Sequence, residues 1–152
     1  MIRILVTGSR AWTNRNLLGM ELIQVAVELA GNDDAPITLV SGACPRGADR
    51  IAEEHAAGWG WTVERYPALW DECGPGCPDK PHRIRRRPGD IDHPGVLDTY
   101  CPKAGPRRNT LMVELGADRA VAFVVGKRWS GTRDCGTKAE RAGIPTTWIE
   151  VL

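Results

Sequence analysis

Three short runs of glycine, serine and threonine follow apolar segments of the sequence, and each run precedes a segment with helical spacing. They are residues 7–10 (TGSR), residues 41–43 (SGA) with Gly47-Ala48-Asp49 just beyond, and Gly126 with residues 130–132 (SGT). Glycine lets a backbone approach a phosphate closely. The helix that follows presents free N–H groups and the positive end of its dipole. The pattern therefore predicts three turns that hold phosphates.

The carboxyl ends of parallel strands form the usual ligand-binding edge of an open α/β sheet. One turn rich in glycine and serine is ordinary, whereas three at this edge favour a ligand site. Arg10 suits bidentate contact with a phosphate, and Trp12 either stacks on a base or packs at the start of a helix. Trp129 is a further candidate contact. The turns predict ligand contacts at Gly8, Ser9, Arg10, Trp12, Gly42, Gly47, Asp49, Gly131 and Thr132.

The turns match neither common nucleotide-binding pattern. The Walker sequence is absent, and so is Gly-x-Gly-x-x-Gly. The sequence therefore supports neither an ordinary P-loop NTPase nor an ordinary nicotinamide dehydrogenase.

Three of the five cysteines lie in one stretch of the chain. Cys73 and Cys77 precede His82 closely, and Cys101 follows at the end of the stretch. Thiolates and imidazole are preferred ligands of Zn²⁺, and Cys₃His is a common structural set. We expect a structural Zn²⁺ here, with His93 as the competing fourth ligand. The alternative is a disordered loop with free thiols.

A basic run follows the second cysteine. Residues 82–87 (HRIRRR) contain four arginines beside His82. A short run of this kind is usually the solvated face of a loop. The alternative is a basic patch near the ligand edge that attracts phosphates or nucleic acid. The near neutrality of the whole chain favours the solvated face.

Apolar spacing along the chain predicts an α/β fold. The order βαβαβ, insertion, αβαβ is typical of a Rossmann-like, doubly wound parallel sheet of about five strands with right-handed crossovers. The predicted strands are residues 2–6, 37–40, 61–66, 120–125 and 146–149. The predicted helices are residues 14–30, 48–57, 107–115 and 132–142.

The order is interrupted from about residue 71 to residue 105. This Cys-rich segment holds more than half of the eleven prolines and shows no apolar periodicity. Loops of this length without structure are uncommon unless they are functional, disordered or cross-linked. We interpret it as an inserted zinc loop without its own core, and residues 1–152 as a single nucleotide-binding domain.

Composition limits the possible binding partners and the cellular compartment of the protein. The net charge is +1, from 20 basic and 19 acidic side chains, which disfavours binding to nucleic acid by bulk charge. An odd number of cysteines does not suggest disulfides. No stretch approaches the length of a membrane span, and Met1 runs directly into an apolar segment. We therefore expect a soluble, cytoplasmic protein, and the oligomeric state, including a homo-oligomer, stays open.

Four motifs in order resemble the SLOG superfamily, and within it the YspA-like, cpYpsA-related branch of bacteria and their phages. They are residues 6–10 (VTGSR), 41–49 (SGACPRGAD), 108–113 (RNTLMV) and 131–132 (GT) with 139–145 (AERAGIP). The resemblance implies a Rossmann-like sheet that binds nucleotides, nucleotide sugars or related signals. It adds Arg108 and Asn109 to the expected ligand contacts. The pattern of residues 73–102 also resembles inserts of actinobacterial relatives, which favours His82 over His93 as the zinc ligand.

The superfamily includes phosphoribohydrolases and the DNA-processing protein DprA. In the hydrolases an arginine four residues before a methionine, and a glutamate after a Gly-Thr pair, carry catalysis. Arg108 and Met112 match the first element, but the glutamate position falls on Cys135, one residue after Asp134. The resemblance therefore leaves Arg108 and Asp134 as catalytic candidates.

Three hypotheses of function follow. The first is a protein that binds or senses a nucleotide or a nucleotide-derived ligand. The second is an enzyme, a phosphoribohydrolase or N-glycosidase that hydrolyses a nucleotide or nucleotide sugar. The third is a DprA-like binder of nucleic acid. The lost glutamate favours the first over the second, and the neutral charge disfavours the third.

Overall fold

A computed structural model describes residues 1–77, 82–85, 90–126 and 130–152. Strands and helices alternate along most of the chain. The strands are β1 (Ile2–Gly8), β2 (Ile37–Ser41), β3 (Thr62–Arg65), β4 (Arg83–Ile84), β5 (Thr99–Tyr100), β6 (Arg119–Val125) and β7 (Thr146–Val151). The helices are α1 (Arg15–Ala30), α2 (Ala48–Gly58), α3 (Ala104–Leu115) and α4 (Ser130–Arg141).

The main sheet has five parallel strands in the order β3-β2-β1-β6-β7. The chain builds outward from β1 to β3, crosses back, and adds β6 and β7 on the other side. The strand order thus reverses next to β1, and ligands of open α/β sheets bind in the crevice at such a point. The predicted α/β class and the five-stranded parallel sheet are confirmed.

The central strand β1 is buried on both faces. Ile4 and Val6 pack with α1 and α2, whereas Leu5, one residue out of phase, packs with α3 and α4. Successive side chains of a strand point to opposite faces, so one apolar run serves both layers. Helices on both faces leave the carboxyl edge of the sheet as the open surface of this layer structure.

Local sequence signals account for the ends of α1. The Asn14 side chain accepts from the Leu17 N–H at 3.0 Å, and the Gly31 N–H donates to the Val27 carbonyl. Both act on backbone groups that a helix end leaves unpaired. This start and end agree with the sequence expectation. Helix α3, in contrast, begins at Ala104 rather than at residue 107.

The insertion between β3 and α3 is more structured than its sequence suggests. Its described residues include the antiparallel pair β4–β5. At its base, Trp70 packs with Tyr100, Cys101 and Ala104 in a small apolar cluster, and the Cys101 N–H donates to the Trp70 carbonyl at 2.7 Å. The expectation that the insertion has no apolar core was therefore incomplete. Residues 78–81 and 86–89, which include part of the basic run, lie outside the described residues.

Among the helices of the described ranges, none combines the length and the apolar character needed to cross a membrane.

Candidate functional site

The first two turns pack against each other through their backbones. The Ala48 N–H, at the start of α2, donates to the Ser9 carbonyl at 3.1 Å. Gly47 has a φ of +78°, and a Cβ there would collide with the Ser9 carbonyl and the backbone of Arg10. A Cβ at Gly8 would likewise collide with Ala48. Glycine is therefore required at both positions for β1 and α2 to approach this closely.

A cavity of about 600 Å³ opens at this edge of the sheet. Most of the residues that the sequence predicts as ligand contacts or catalytic candidates line it. These are Gly8, Ser9, Arg10, Gly42, Asp49, Arg108, Asn109, Gly131, Thr132 and Asp134. Four sequence segments that are far apart in the chain thus meet around one space.

Arg108 bridges α3 to the end of β2. Its Nη1 donates to the carbonyls of Gly42 and Tyr66, and its Nε donates to Asn109 Oδ1 at 2.8 Å. A Cβ at Gly42 would lie 2.7 Å from Arg108 Nη1, so the second turn needs glycine to admit this guanidinium. The RNTLMV motif is thereby fixed against the SGA turn.

Asp49 places a carboxyl in the cavity wall although only 4% of the residue is exposed. Its Oδ2 accepts from the Cys44 N–H at 3.2 Å. Burial raises the pKa of the Asp49 carboxyl, and the Arg108 guanidinium and the Cys44 N–H oppose that shift only in part. Burial and the neighbouring Asp49 also raise the pKa of the Cys44 thiol to about 11, so Cys44 is a thiol rather than a nucleophilic thiolate at neutral pH.

The third turn supplies Asp134 rather than Cys135 to the cavity. Asp134 Oδ2 accepts from Asn109 Nδ2 at 3.0 Å and from Lys138 Nζ at 2.9 Å. Cys135 is fully buried against the sheet, and burial raises the pKa of its thiol to about 12. The position at which the hydrolases carry glutamate thus faces the core, and its neighbour faces the cavity.

Arg10 lies between the first turn and the insertion. Its Nη2 donates to the Asp92 carbonyl at 3.0 Å, and its Nε lies 3.9 Å from Asp92 Oδ1. Arg46 binds both oxygens of the same carboxylate, each at 2.8 Å. The insertion is thereby held against the carboxyl edge of the main sheet by two arginines.

Two predicted contacts do not line the cavity. Trp12 is only 1% exposed, packs edge-on against Phe123 in the core, and donates from Nε1 to the Asn14 carbonyl at 2.9 Å. Because the indole is buried in the core, it offers no exposed face on which a base could stack. Trp12 is therefore a packing residue at the start of α1, the alternative to a ligand contact. Gly47 packs against the backbone of Arg10 and allows the first two turns to approach each other. Trp129 lies outside the described residues.

The insertion contributes a wall that the sequence did not reveal. Trp70, Arg83, His93 and Tyr100 all line the cavity. They are spread over a segment without helical or strand periodicity, so no spacing rule connects them. Aromatic character was the signal available for Trp70, His93 and Tyr100, whereas Arg83 belongs to the basic run.

The three cysteines of the insertion converge. The sulfurs of Cys73, Cys77 and Cys101 all lie within 4.8 Å of one another, and Cys77 Sγ is 3.5 Å from Cys101 Sγ. Tetrahedral Zn–S bonds of ~2.3 Å place two sulfurs about 3.8 Å apart, close to the observed spacing. The cluster has the donor set and the dimensions of a metal site.

The two candidate histidines differ in position. His82 Nε2 contacts Cys73 Sγ, at the edge of the cysteine cluster. His93 instead places Nδ1 2.8 Å from Asp90 Oδ2 and stacks on Tyr100, with ring centroids 4.0 Å apart. This geometry supports His82 as the fourth ligand.

The surroundings of the cysteine cluster act in opposite directions on two of its thiols, since burial and the neighbouring Cys101 raise the pKa of the Cys73 thiol. The Gly74 N–H lowers the pKa of the Cys77 thiol, and the Cys101 thiol and the Arg107 guanidinium act in the same direction. Arg107 Nη1 lies 3.4 Å from Cys77 Sγ and 3.6 Å from Cys101 Sγ. Since Arg107 precedes Arg108, the cluster and the cavity share one turn of α3.

Comparison with known proteins agrees with this architecture. The model of a family described as "YspA, cpYpsA-related SLOG family" matches residues 2–72, which contain the first two turns and end where the insertion begins. The Gene 61 protein of Mycobacterium phage D29 is 35% identical over 148 residues, which span 95% of this chain and 94% of that protein. No solved structure is significantly similar to the chain.

Proposed function

Because the chain belongs to the YspA, cpYpsA-related SLOG family, we propose that it binds or senses a nucleotide or a nucleotide-derived ligand. The phosphates lie at the carboxyl edge of the main sheet. The observation that carries this proposal is the convergence of the three turns with Arg10 and Arg108 around one cavity. Backbone N–H groups at helix starts and arginine guanidinium groups together form a site for phosphate.

The charges of the cavity favour an anion. Among the described residues that line it, the arginines are Arg10, Arg83 and Arg108. The carboxyl of Asp49 has a raised pKa, and that of Asp134 is bonded to Lys138. Positive charge therefore exceeds effective negative charge at the site, although the net charge of the whole chain is only +1.

Binding without cleavage is favoured over catalysis because Cys135 occupies the glutamate position and faces the core. One observation keeps a hydrolase of nucleotides or nucleotide sugars as the second candidate. Asp134 and Arg108 line the same cavity, so a carboxylate and a guanidinium both reach a bound ligand. The two candidates differ in one measurable outcome, which is bond cleavage.

Titration calorimetry with nucleotides and ADP-ribose derivatives tests the proposal. At least one compound should bind, and Arg10→Ala should weaken it by roughly 1.5–3 kcal/mol, the range for a charge-assisted hydrogen bond. Arg15→Ala is the matched control, since Arg15 pairs with Glu54 at 2.7 Å and does not line the cavity. Unchanged affinity in Arg10→Ala would place the phosphate elsewhere.

We also propose that Cys73, Cys77, Cys101 and His82 bind one structural Zn²⁺. The ligand set is closed, with three thiolates and one imidazole, as in structural rather than catalytic zinc sites. Arg107 lies beside two of the sulfurs and offsets part of the charge that three thiolates carry. The site joins the two ends of the insertion, because Cys73 and Cys77 lie near its start and Cys101 near its end.

Finally, we propose that residues 1–152 form one SLOG-like domain. The main sheet supports this proposal, since β1, β2 and β3 precede the insertion and β6 and β7 follow it.

A further inference from the structure

Three aromatic rings of the insertion form a wall of the cavity. We call Trp70, His93 and Tyr100 the aromatic wall. His93 stacks on Tyr100 with an interplanar angle of 15°, and Trp70 meets both rings edge-on, with centroids 4.7 Å and 5.9 Å away. Trp70 and Tyr100 are almost fully buried, and His93 is half-buried. The wall is packed before any ligand binds.

Asp90 fixes the orientation of the His93 ring. Its Oδ2 lies 2.8 Å from His93 Nδ1, and its Oδ1 accepts the N–H groups of Asp92 and His93 at 3.0 and 3.3 Å. A carboxylate at Nδ1 holds the proton on that nitrogen, which leaves Nε2 as an acceptor in the neutral ring. In the described part of the chain, His93 Nε2 has no hydrogen-bond partner.

The wall is tied to the phosphate-binding edge. Asp92, one residue before His93, is bound by Arg46 and contacts Arg10. Arg10 is also the guanidinium at the first turn. The wall and the turns therefore bound the same cavity of about 600 Å³, a volume typical of sites for compact organic ligands.

We propose that the aromatic wall binds the base of the ligand, with His93 Nε2 accepting an N–H of that base. The inference rests on the proposed function and narrows it, because it requires a ligand with both a phosphate and an aromatic ring. Trp12 is buried in the core, so among the described residues the wall carries the aromatic surface that faces the cavity. A sugar phosphate without a base would leave this surface and the imidazole acceptor unused.

Calorimetry with a matched set of compounds tests the proposal. The probes are ribose 5-phosphate, the four common nucleoside 5′-monophosphates and ADP-ribose. At least one probe with a base should bind about tenfold more tightly than ribose 5-phosphate, the lower part of the range for stacking of one base on an aromatic side chain. Arg10→Ala should weaken ribose 5-phosphate and that probe by the same factor.

Two substitutions of His93 separate stacking from hydrogen bonding. His93→Ala should remove the tenfold advantage of the base. His93→Phe keeps a ring between Tyr100 and Trp70 but removes both nitrogens, so it should lose only about threefold of the advantage, the lower part of the range for one hydrogen bond. His55→Ala is the control, because His55 also stacks on an aromatic ring, that of Trp59, and does not line the cavity. Retained zinc shows that each variant keeps its insertion.

The outcomes are distinct. If ribose 5-phosphate binds as tightly as every probe with a base, or if the advantage survives His93→Ala, the aromatic wall does not bind the base, while the phosphate site stands. If no probe binds the wild-type protein, the proposed function fails together with this inference. Loss of the advantage in His93→Ala but not in His55→Ala supports it.

Discussion

At the scale of single residues, the site depends on polar groups that are held in unusual surroundings. Arg108 and Asp49 belong to different helices, and both lie against the SGA turn, where Gly42 leaves room for them. Arg108 is held by two backbone carbonyls. Asp49 is nearly enclosed by protein. An anion bound beside them would meet a fixed positive charge and a carboxyl that burial drives toward its neutral form.

Asp49 contributes its own pH dependence to the free energy of unfolding. Its folded pKa is raised above the unfolded value. The stability it contributes is therefore present below the unfolded pKa and is lost as the pH rises through the folded pKa. Relative to Asp49→Asn, which cannot ionise, the wild-type free energy of unfolding should fall over that window. Urea denaturation of both proteins across the acidic and neutral range measures the difference. If the free energies of unfolding of the two proteins changed with pH in parallel, burial would not disfavour the charged form of the Asp49 carboxyl.

The chain should not efficiently release a free base from nucleoside monophosphates. Glycosidic cleavage passes through an oxocarbenium-like transition state that carboxylates stabilise. The residue at the glutamate position is instead Cys135, a buried thiol with a pKa of about 12. Chromatography of incubated nucleotides measures release. Robust release by the wild-type protein that disappears in Arg108→Ala would contradict this prediction, and its further loss in Asp134→Asn would show that Asp134 replaces the glutamate.

At the scale of secondary-structure elements, the site is a contact between two βα turns. The turn after β1 and the start of α2 approach until backbone touches backbone, at Ser9, Arg10 and Gly47. This contact sets the spacing of the helix N-terminus from Arg10. The geometry at the edge is thus created by pairs of elements rather than by any single turn.

Gly47→Ala should damage the site far more than Gly60→Ala, which changes a glycine just past the other end of α2. Both residues have a positive φ, +78° at Gly47 and +77° at Gly60, so each substitution carries a backbone penalty of about 1–3 kcal/mol, and the ψ of −148° at Gly47 lies in a region open essentially to glycine alone. Only at Gly47 would the new Cβ collide with the first turn, which adds roughly 1–3 kcal/mol of overpacking. Thermal unfolding measures stability, and calorimetry measures nucleotide affinity. Equal effects of the two substitutions would mean that the turns are not in contact.

At the scale of the whole molecule, two sources of order act side by side. The sheet and its four helices bury two apolar layers, one formed with α1 and α2 and the other with α3 and α4. Within its described residues, the insertion has only the small cluster around Trp70 and Tyr100, together with the cysteines. Ordering a chain costs about 1–2 kcal/mol of backbone entropy per residue. The small apolar area that this cluster buries does not offset that cost for the described part of the insertion.

Cys77→Ser should therefore remove the metal and loosen the insertion while the sheet stays folded. Structural zinc contributes roughly 10–16 kcal/mol of apparent binding free energy in small peptides. Elemental analysis should find about one zinc per chain in the wild-type protein and in the control Cys44→Ser. Far-UV circular dichroism and limited proteolysis of the variant report on the sheet and on the insertion.

A metal-free wild-type protein, purified under reducing conditions with an ordered insertion, would contradict the zinc proposal. The two histidine variants locate the fourth ligand. Zinc should be lost in His82→Ala and retained in His93→Ala, and the reverse result would exchange their roles while leaving the three cysteines in place.

The sequence alone determined the α/β order, most element boundaries and the turns at the carboxyl edge of the sheet. Local physics decides these features: apolar spacing sets strands and helices, and Asn14 and Gly31 mark the ends of α1. The motif around Arg108 was also visible, because the arginine and its neighbours are adjacent in the chain. The cysteine cluster was visible for a chemical reason, since residue types alone suggest metal ligands.

Only the tertiary structure decided which groups face the cavity. Trp12 was predicted as a ligand contact and Cys135 follows the catalytic candidate Asp134, yet Trp12 and Cys135 both pack into the core, whereas Asp134 faces the cavity. The aromatic wall could not be predicted, because Trp70, His93 and Tyr100 meet through contacts across an aperiodic segment. Side-chain direction and long-range contacts depend on how the elements pack. The spacing of residues along a chain does not specify which distant segments come into contact.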